Sequence, residues 1–167
     1  PEIHALRWGR QVHGSEIASV TGDLEGGFGG AACVGQCDAL VTNEPGVGLM
    51  VWTADCVPVL LAGSGVVAAV HSGWRGASAD VVGAVVRTFR SDYGVAASQV
   101  HAALGPAVSG TRYEVGPDVV NALEAVGRGI HLLDHPEVEI LNLAPVLLDH
   151  LPLEERGGGL VVRVRAV

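Results

Sequence analysis

A chain of 167 residues and 17.1 kDa is the size of one compact domain, and its 49% apolar content can build a core and excludes a disordered chain. Eighteen acidic residues against ten arginines give a net charge of −8, which disfavours nucleic acid as a partner because a phosphate backbone requires a basic face. The sequence contains no lysine, which excludes Schiff-base and pyridoxal-phosphate lysines and the lysine of a phosphate-binding P-loop.

Cysteine content and hydropathy indicate a reduced protein inside the cell. Three cysteines in 167 residues do not make a disulfide framework. Pro1–His4 lacks a basic-then-apolar signal pattern, and apolar runs such as Val57–Ala62 are far shorter than the roughly 20 residues that cross a bilayer. We therefore expect a cytoplasmic domain without a membrane partner, in which a cysteine is free to bind metal or do chemistry.

The first half of the chain is predicted to consist of loops and strands. A flexible glycine-rich loop covers Gly26–Gly30 and extends past Cys33 and Cys37, without the strand-before, helix-after context of a dinucleotide site. Apolar runs then predict four strands, the last three of a kind buried on both faces: Ala39–Thr42, Gly48–Thr53, Val57–Ala62 and Val66–His71. The turn Gly63–Gly65 predicts a hairpin of the last two strands, with Val57 opposite His71.

Helical spacing begins after Gly76. It predicts a helix with Ser78 as N-cap and Asp80 in the first turn, ended by Gly94. The remaining predicted elements are a strand, two helices and a terminal strand: Gln99–Leu104, a helix from Pro117 to just before Gly127, Asn142–Leu151 and Leu160–Val167. Strands precede helices more than they alternate with them, so we expect an α+β fold with mixed sheets flanked by helices.

Three segments place a reactive side chain at the end of an apolar stretch, where sites are commonly built: Gln11–Gly14, Thr53–Pro58 and Val70–Gly76. The predicted hairpin brings Cys56 and His71 to the same open end. A histidine beside a cysteine can activate the thiol as a nucleophile. A thiolate and an imidazole can equally be two ligands of zinc, or the pair can be a buried cysteine and a satisfied core histidine.

A set of motifs spread over roughly residues 10–150 resembles the YfiH family, also called the laccase-domain or polyphenol-oxidase family. The motifs are Gln11–Gly14, Asp38-Ala39, Thr53–Leu60, His71–Gly76, Gly105-Pro106 and Tyr113–Gly116. The family includes bacterial purine nucleoside phosphorylases. Its fold, of a cysteine-hydrolase type, resembles that of a toxin deamidase with a Cys/His pair. The resemblance implies a single domain over residues 1–167, shortened relative to the family at the N-terminus and near the C-terminus.

The resemblance further implies one zinc ion held by His13, Cys56 and His71. Three protein ligands with one open position are typical of catalytic zinc. The implied activity is phosphorolysis of adenosine, inosine, guanosine and methylthioadenosine, together with deamination of adenosine, which suits water activated by zinc. The expected partners are therefore purine nucleosides and phosphate.

Arg75 is the candidate phosphate ligand, because it offers planar bidentate donors near the predicted start of the long helix. A structural ion pair is the alternative for Arg75. Asp55 adjoins Cys56, and we expect it to orient a ligand histidine or to act as an acid-base group. Trp74 is a candidate for stacking on a base, although packing of the helix start is at least as good an interpretation. For Tyr113 and Glu114 we favour structural roles over a place in the pocket.

Three other functions remain open at this point. A thiol hydrolase or deamidase would use Cys56 as nucleophile and His71 as base, and would not need His13. A copper-dependent polyphenol oxidase is disfavoured because the seven histidines include no His-x-His pair and Met50 has no evident axial role. A noncatalytic purine-binding module is the third. Metal binding by Cys33 and Cys37 is disfavoured, and no convergent pattern links the remaining histidines, His4, His101, His131, His135 and His150.

Overall fold

The computed structural model describes residues 3–22, 31–110, 112–126 and 139–140. Its strands are β1 (Ala5–Arg10), β2 (Ile17–Ser19), β3 (Ala31–Gln36), β4 (Ala39–Thr42), β5 (Val47–Met50), β6 (Val57–Gly63), β7 (Val66–Ser72), β8 (His101–Leu104), β9 (Glu114–Val115) and β10 (Glu139–Ile140). Its helices are α1 (Trp74–Ser78), α2 (Val81–Tyr93) and α3 (Pro117–Glu124), with a 3₁₀ turn at Ala97–Gln99. The predicted mixed α+β class is confirmed.

The largest sheet has five strands in the order β2-β4-β7-β6-β8. β2 runs parallel to β4, and the other neighbours are antiparallel. The predicted β6–β7 hairpin is confirmed, but its register is shifted by one residue: Val57 lies opposite Ser72, and Pro58 opposite His71. The reason is a two-residue turn of Ser64 and Gly65, where Gly65 has φ 75° and Gly63 still pairs with Val66.

The five-stranded sheet lies between two cores. On one face it packs against α2, with Phe89 fully buried. On the other face it meets a parallel sheet of three strands, in the order β3-β1-β5. Alternation along β4 shows the two faces directly, because Val41 belongs to the helix-side core and Leu40 to the core between the sheets.

Burial on both faces holds for β7 but not for β6. All but one residue of β7 is buried, whereas β6 alternates, with Leu61 1% exposed and its neighbour Leu60 43% exposed. Leu60 lines an apolar cleft of about 280 Å³ together with Ala69 of β7 and Leu49 of β5. The strand prediction is therefore wrong about the outer face of β6.

The helical region differs from the prediction at its start. Ser78 is not an N-cap: it ends α1, and its hydroxyl donates to the Arg75 carbonyl at 3.0 Å. Asp80 occupies the N-cap position of α2 with φ 60°, and its carboxylate pairs with Arg87 at 2.7 Å. Gly94 ends α2 with φ 70°, as predicted. Two helices meeting at a left-handed residue replace the single predicted helix.

Other boundaries shift by a few residues. β5 ends at Met50 rather than at Thr53, and β8 begins at His101 because a 3₁₀ turn precedes it. Cys33 lies in β3 and Cys37 is buried just after it, so neither belongs to a flexible loop. Pro117 opens α3 as predicted. α3 ends at Glu124, two residues before the predicted end. Three predicted features lie outside the described residues: Gly26–Gly30, Asn142–Leu151 and Leu160–Val167. Within the described part, no helix is long and apolar enough to span a membrane.

Two neighbouring leucines of β6 test this assignment of faces. Leu61→Ala should lower the free energy of unfolding by about 2–5 kcal/mol, because it leaves a cavity in the helix-side core. Leu60→Ala, whose side chain faces the open cleft, should cost less than about 1 kcal/mol. Urea denaturation of both variants measures the difference, and equal losses would contradict the assignment.

Candidate metal centre

Three distant segments bring their reactive side chains together. One ligand atom each of His13, Cys56 and His71 lies within 4.8 Å of the other two. His13 lies in the loop after β1, Cys56 directly precedes β6, and His71 is the penultimate residue of β7. Their imidazole rings stack edge to face, with centroids 4.8 Å apart. Two imidazoles and a thiol at this spacing form a donor set that suits a single zinc ion.

His71 is oriented by Asp38. Its Nδ1 lies 2.8 Å from Asp38 Oδ1, and both side chains are buried. A buried carboxylate accepts the proton of Nδ1, which leaves Nε2 as the atom free to bind a metal. The expectation that Asp55 orients a ligand histidine is therefore wrong for His71. Asp55 lies exposed beside Cys56 instead.

Asp38 also organises the loop that carries His13. Its carboxylate accepts three backbone N–H groups, from Val12 at 3.1 Å, His13 at 3.0 Å and Gly14 at 2.8 Å. Burial raises the pKa of Asp38, but the bonds from His71 and these amides outweigh it, and the pKa lies below its usual value. The sequence offers one sign that Asp38 is buried, because Asp38 directly precedes the fully buried strand β4.

Gly73 packs directly against the Cys56 side chain in the cluster. A Cβ on Gly73 would lie 2.8 Å from Cys56 Sγ and 3.4 Å from His13 Cδ2. The connection between β7 and α1 therefore passes close to two of the three ligands. Burial raises the pKa of the Cys56 thiol, and the charges of Asp55 and Asp38 raise it further. The protein alone thus disfavours the thiolate, which a bound cation would stabilise.

Hydrogen bonds hold the loops around the cluster to one another. The Gln11 side chain donates to the Trp52 carbonyl and accepts from the Trp52 N–H, both at 2.7 Å, and so ties the segment before Cys56 to the loop of His13. The loop after β8 is attached as well, since Val108 N–H donates to the Asp55 carbonyl at 3.0 Å. The apolar cleft adjoins this region, because one of its lining residues is Pro58, the register partner of His71.

Arg75 lies exposed on α1, with its guanidinium carbon 4.3 Å from the centre of the Trp74 ring. It has no ion-pair partner among the residues that the structure describes. The predicted position at the start of the long helix is wrong, because Arg75 belongs to the five-residue α1 and the long helix starts at Val81.

Tyr113 lies closer to the cluster than the sequence analysis favoured. Burial raises the pKa of the Tyr113 hydroxyl, Cys56 and Asp55 raise it further, and Arg75 opposes them. Tyr113 itself is half-buried and packs against the helix-side core. Glu114, the next residue, is exposed in β9.

The family model described as multi-copper polyphenol oxidoreductase laccase matches residues 2–151. A Deinococcus radiodurans protein named purine nucleoside phosphorylase is 38% identical over 138 residues, which cover 80% of this chain and 50% of that protein. The purine nucleoside phosphorylase YfiH of Shigella flexneri is 34% identical over 160 residues, which cover 91% of this chain and 61% of that protein.

Solved structures agree with these matches. The crystal structure of YlmD from Geobacillus stearothermophilus has a TM-score of 0.79 and 30% identity, covering 90% of this chain and 61% of that one. The chain spans about half the length of the Deinococcus relative and three fifths of the Shigella one. With its matched residues, its fold and its motifs in agreement, the chain belongs to the multi-copper polyphenol oxidoreductase laccase family, which is the YfiH family that its motifs resemble.

Proposed function

We propose that this chain carries the active site of a zinc-dependent purine nucleoside phosphorylase that also deaminates adenosine. The observation that carries the proposal is the convergence of His13, Cys56 and His71 within 4.8 Å. The names of the relatives supply the reaction class, since the Deinococcus and Shigella proteins are both named purine nucleoside phosphorylase. The substrates are then purine nucleosides and phosphate.

The donor set favours zinc over copper. Two imidazoles and one thiolate leave one position open for substrate or water, which is the pattern of catalytic zinc. A multicopper oxidase requires several copper sites, whereas the described residues form one group of three such ligands. When bound, zinc acts as a Lewis acid and lowers the pKa of a bound water.

Residues around the centre are suited to bind the phosphate, transfer a proton and contact the purine. In phosphorolysis, a phosphate oxygen bonds to the ribose C1′ while the bond to the purine nitrogen breaks and the purine leaves with the electron pair. The exposed guanidinium of Arg75 is the group suited to hold the phosphate, because its planar donors match two oxygens. Asp55, exposed beside Cys56, is placed to move a proton during deamination. The apolar cleft next to Pro58 offers a surface for the purine.

A thiol hydrolase is the second candidate, because Cys56, His71 and Asp38 lie in the order nucleophile, base and orienting carboxylate. The raised pKa of Cys56 opposes this function, since a nucleophilic cysteine needs a lowered one. His13 has no part in such a triad. Removal of His13 therefore separates the two functions.

Metal content gives the first test. The wild-type protein should contain one zinc per chain, and His13→Ala should lose most of it because two ligands bind an ion poorly. The matched control is His101→Ala, which removes an exposed histidine of β8 outside the cluster and should keep the zinc. Elemental analysis measures both. Full occupancy in His13→Ala would contradict the three-ligand site and favour the thiol hydrolase.

The reaction itself gives the second test. With inosine, the zinc-loaded protein should release hypoxanthine only in the presence of phosphate, and ribose 1-phosphate should appear in equal amount. Chromatography of the two products measures the yield. Equal release of base in phosphate-free buffer would indicate a hydrolase, and no release from fully loaded protein would favour a noncatalytic binding module.

Arg75 gives the third test. Arg75→Ala should raise the phosphate concentration needed for half-maximal rate by about 10- to 150-fold, as expected for losing a charge-assisted contact of about 1.5–3 kcal/mol. Arg75→Lys should recover only part of this, because lysine lacks the bidentate fork. Adenosine deamination uses water and should fall much less.

A matched control is available on α2, where Arg87 is exposed and pairs with Asp80. Arg87→Ala removes the same charge and should leave the phosphate requirement unchanged. If Arg75→Ala instead loses both activities equally, together with thermal stability, Arg75 supports the fold and does not bind phosphate.

A further inference from the structure

We propose that Asp38 is a positioning residue that sets both histidine ligands at once, so that His13 and His71 form one unit rather than two independent ligands. The inference rests on the metal site of the proposed function. It assigns a role to a residue that is not itself a ligand, and that role follows from how its two carboxylate oxygens are shared.

Each oxygen of Asp38 serves a different part of the site. Oδ1 accepts one hydrogen bond from the His71 ring nitrogen Nδ1 at 2.8 Å and another from the His13 backbone N–H at 3.0 Å. Oδ2 accepts the backbone N–H of Val12 at 3.1 Å and of Gly14 at 2.8 Å. One side chain therefore fixes the ring of one histidine and the backbone on both sides of the other. Asp38 is fully buried, so water cannot take over these bonds.

The backbone of His13 needs this support. Its φ is 60°, a left-handed conformation that non-glycine residues rarely adopt. Three converging amides stabilise that conformation because they share one negatively charged acceptor. Without the carboxylate, the amides of residues 12–14 would lose their acceptor and the loop would relax to a more common conformation, which moves the imidazole away from Cys56.

Asp38 is itself held by the sheet. Its carbonyl accepts the His71 backbone N–H at 2.7 Å, and its own N–H and that of Ala39 donate to the Glu16 carbonyl at 3.1 and 3.2 Å. The backbone of Asp38 is thus fixed between β2 and β7. The carboxylate can therefore act as a rigid support for ligands on two other segments.

An asparagine at this position cannot serve both histidines, because its amide has one acceptor oxygen and one donor nitrogen. If the oxygen takes the place of Oδ1, the NH₂ group faces the amides of Val12 and Gly14, and the His13 loop opens. If the oxygen takes the place of Oδ2, the NH₂ group faces His71 Nδ1. His71 must then carry its proton on Nε2, the atom needed for the metal.

Asp38→Asn is therefore expected to weaken zinc binding by about 10- to 100-fold, measured by competition with a chromogenic chelator. The visible spectrum of the cobalt-substituted variant should also change, because one imidazole is displaced. Asp92→Asn is the matched control: it removes an exposed carboxylate of α2, outside the cluster, and should change zinc affinity by less than about threefold. Circular dichroism confirms that both variants are folded. Wild-type zinc affinity in Asp38→Asn would overturn the proposal.

Nitrogen-15 NMR of histidine-labelled wild-type protein tests the positioning role of Asp38 even if Asp38→Asn does not fold. In metal-free protein, His71 should be the Nδ1–H tautomer; an Nε2–H tautomer would overturn the role of Asp38. The same samples separate this inference from the proposed function. Wild-type protein that shows the expected tautomer but binds no zinc would refute the metal site and leave the positioning by Asp38 intact.

Discussion

Burying an ionised carboxylate costs several kcal/mol unless its oxygens are fully hydrogen bonded. Asp38 meets this condition with four donors drawn from two distant segments, the loop at residues 12–14 and the end of β7. The donors cannot reach the carboxylate unless β1, β4 and β7 are correctly assembled. The geometry of the candidate centre and the correctness of the fold are therefore tied to the same set of hydrogen bonds.

The sheet gives the centre its rigid side. His71 lies on β7, an inner strand paired on both edges with β4 and β6, and is 3% exposed. Close approaches of backbone complete the packing, since a Cβ on Gly76 would lie 3.2 Å from the Gly14 carbonyl. Larger residues at such positions would push α1 away from the loop of His13. Small residues are thus a requirement of the site as well as of the turns.

Local signals in the sequence predicted the local structure well. The β6–β7 hairpin, the end of α2 at Gly94 and the start of α3 at Pro117 all follow from turn and cap preferences of a few residues. The register of the hairpin was wrong by one because Gly63 pairs with Val66 instead of joining the turn. Such a choice depends on how both strands pack in the sheet, which no four-residue pattern contains.

The cluster of candidate ligands could be predicted from the sequence, but the residues that support it could not. His13, Cys56 and His71 were identified by a family resemblance, and the spacing of Cys56 and His71 along a hairpin agreed with it. Asp38 was missed as an orienting group because its partners lie 24 to 33 residues away and three of the four are backbone amides, which any sequence would provide.

The two histidines of the centre differ in their surroundings: His13 is exposed on a loop, and His71 is buried in a strand. In the proposed metal site, an entering ion would therefore reach His13 before His71. The loop would then govern how readily the ion exchanges with solvent, and the strand would fix where the ion lies.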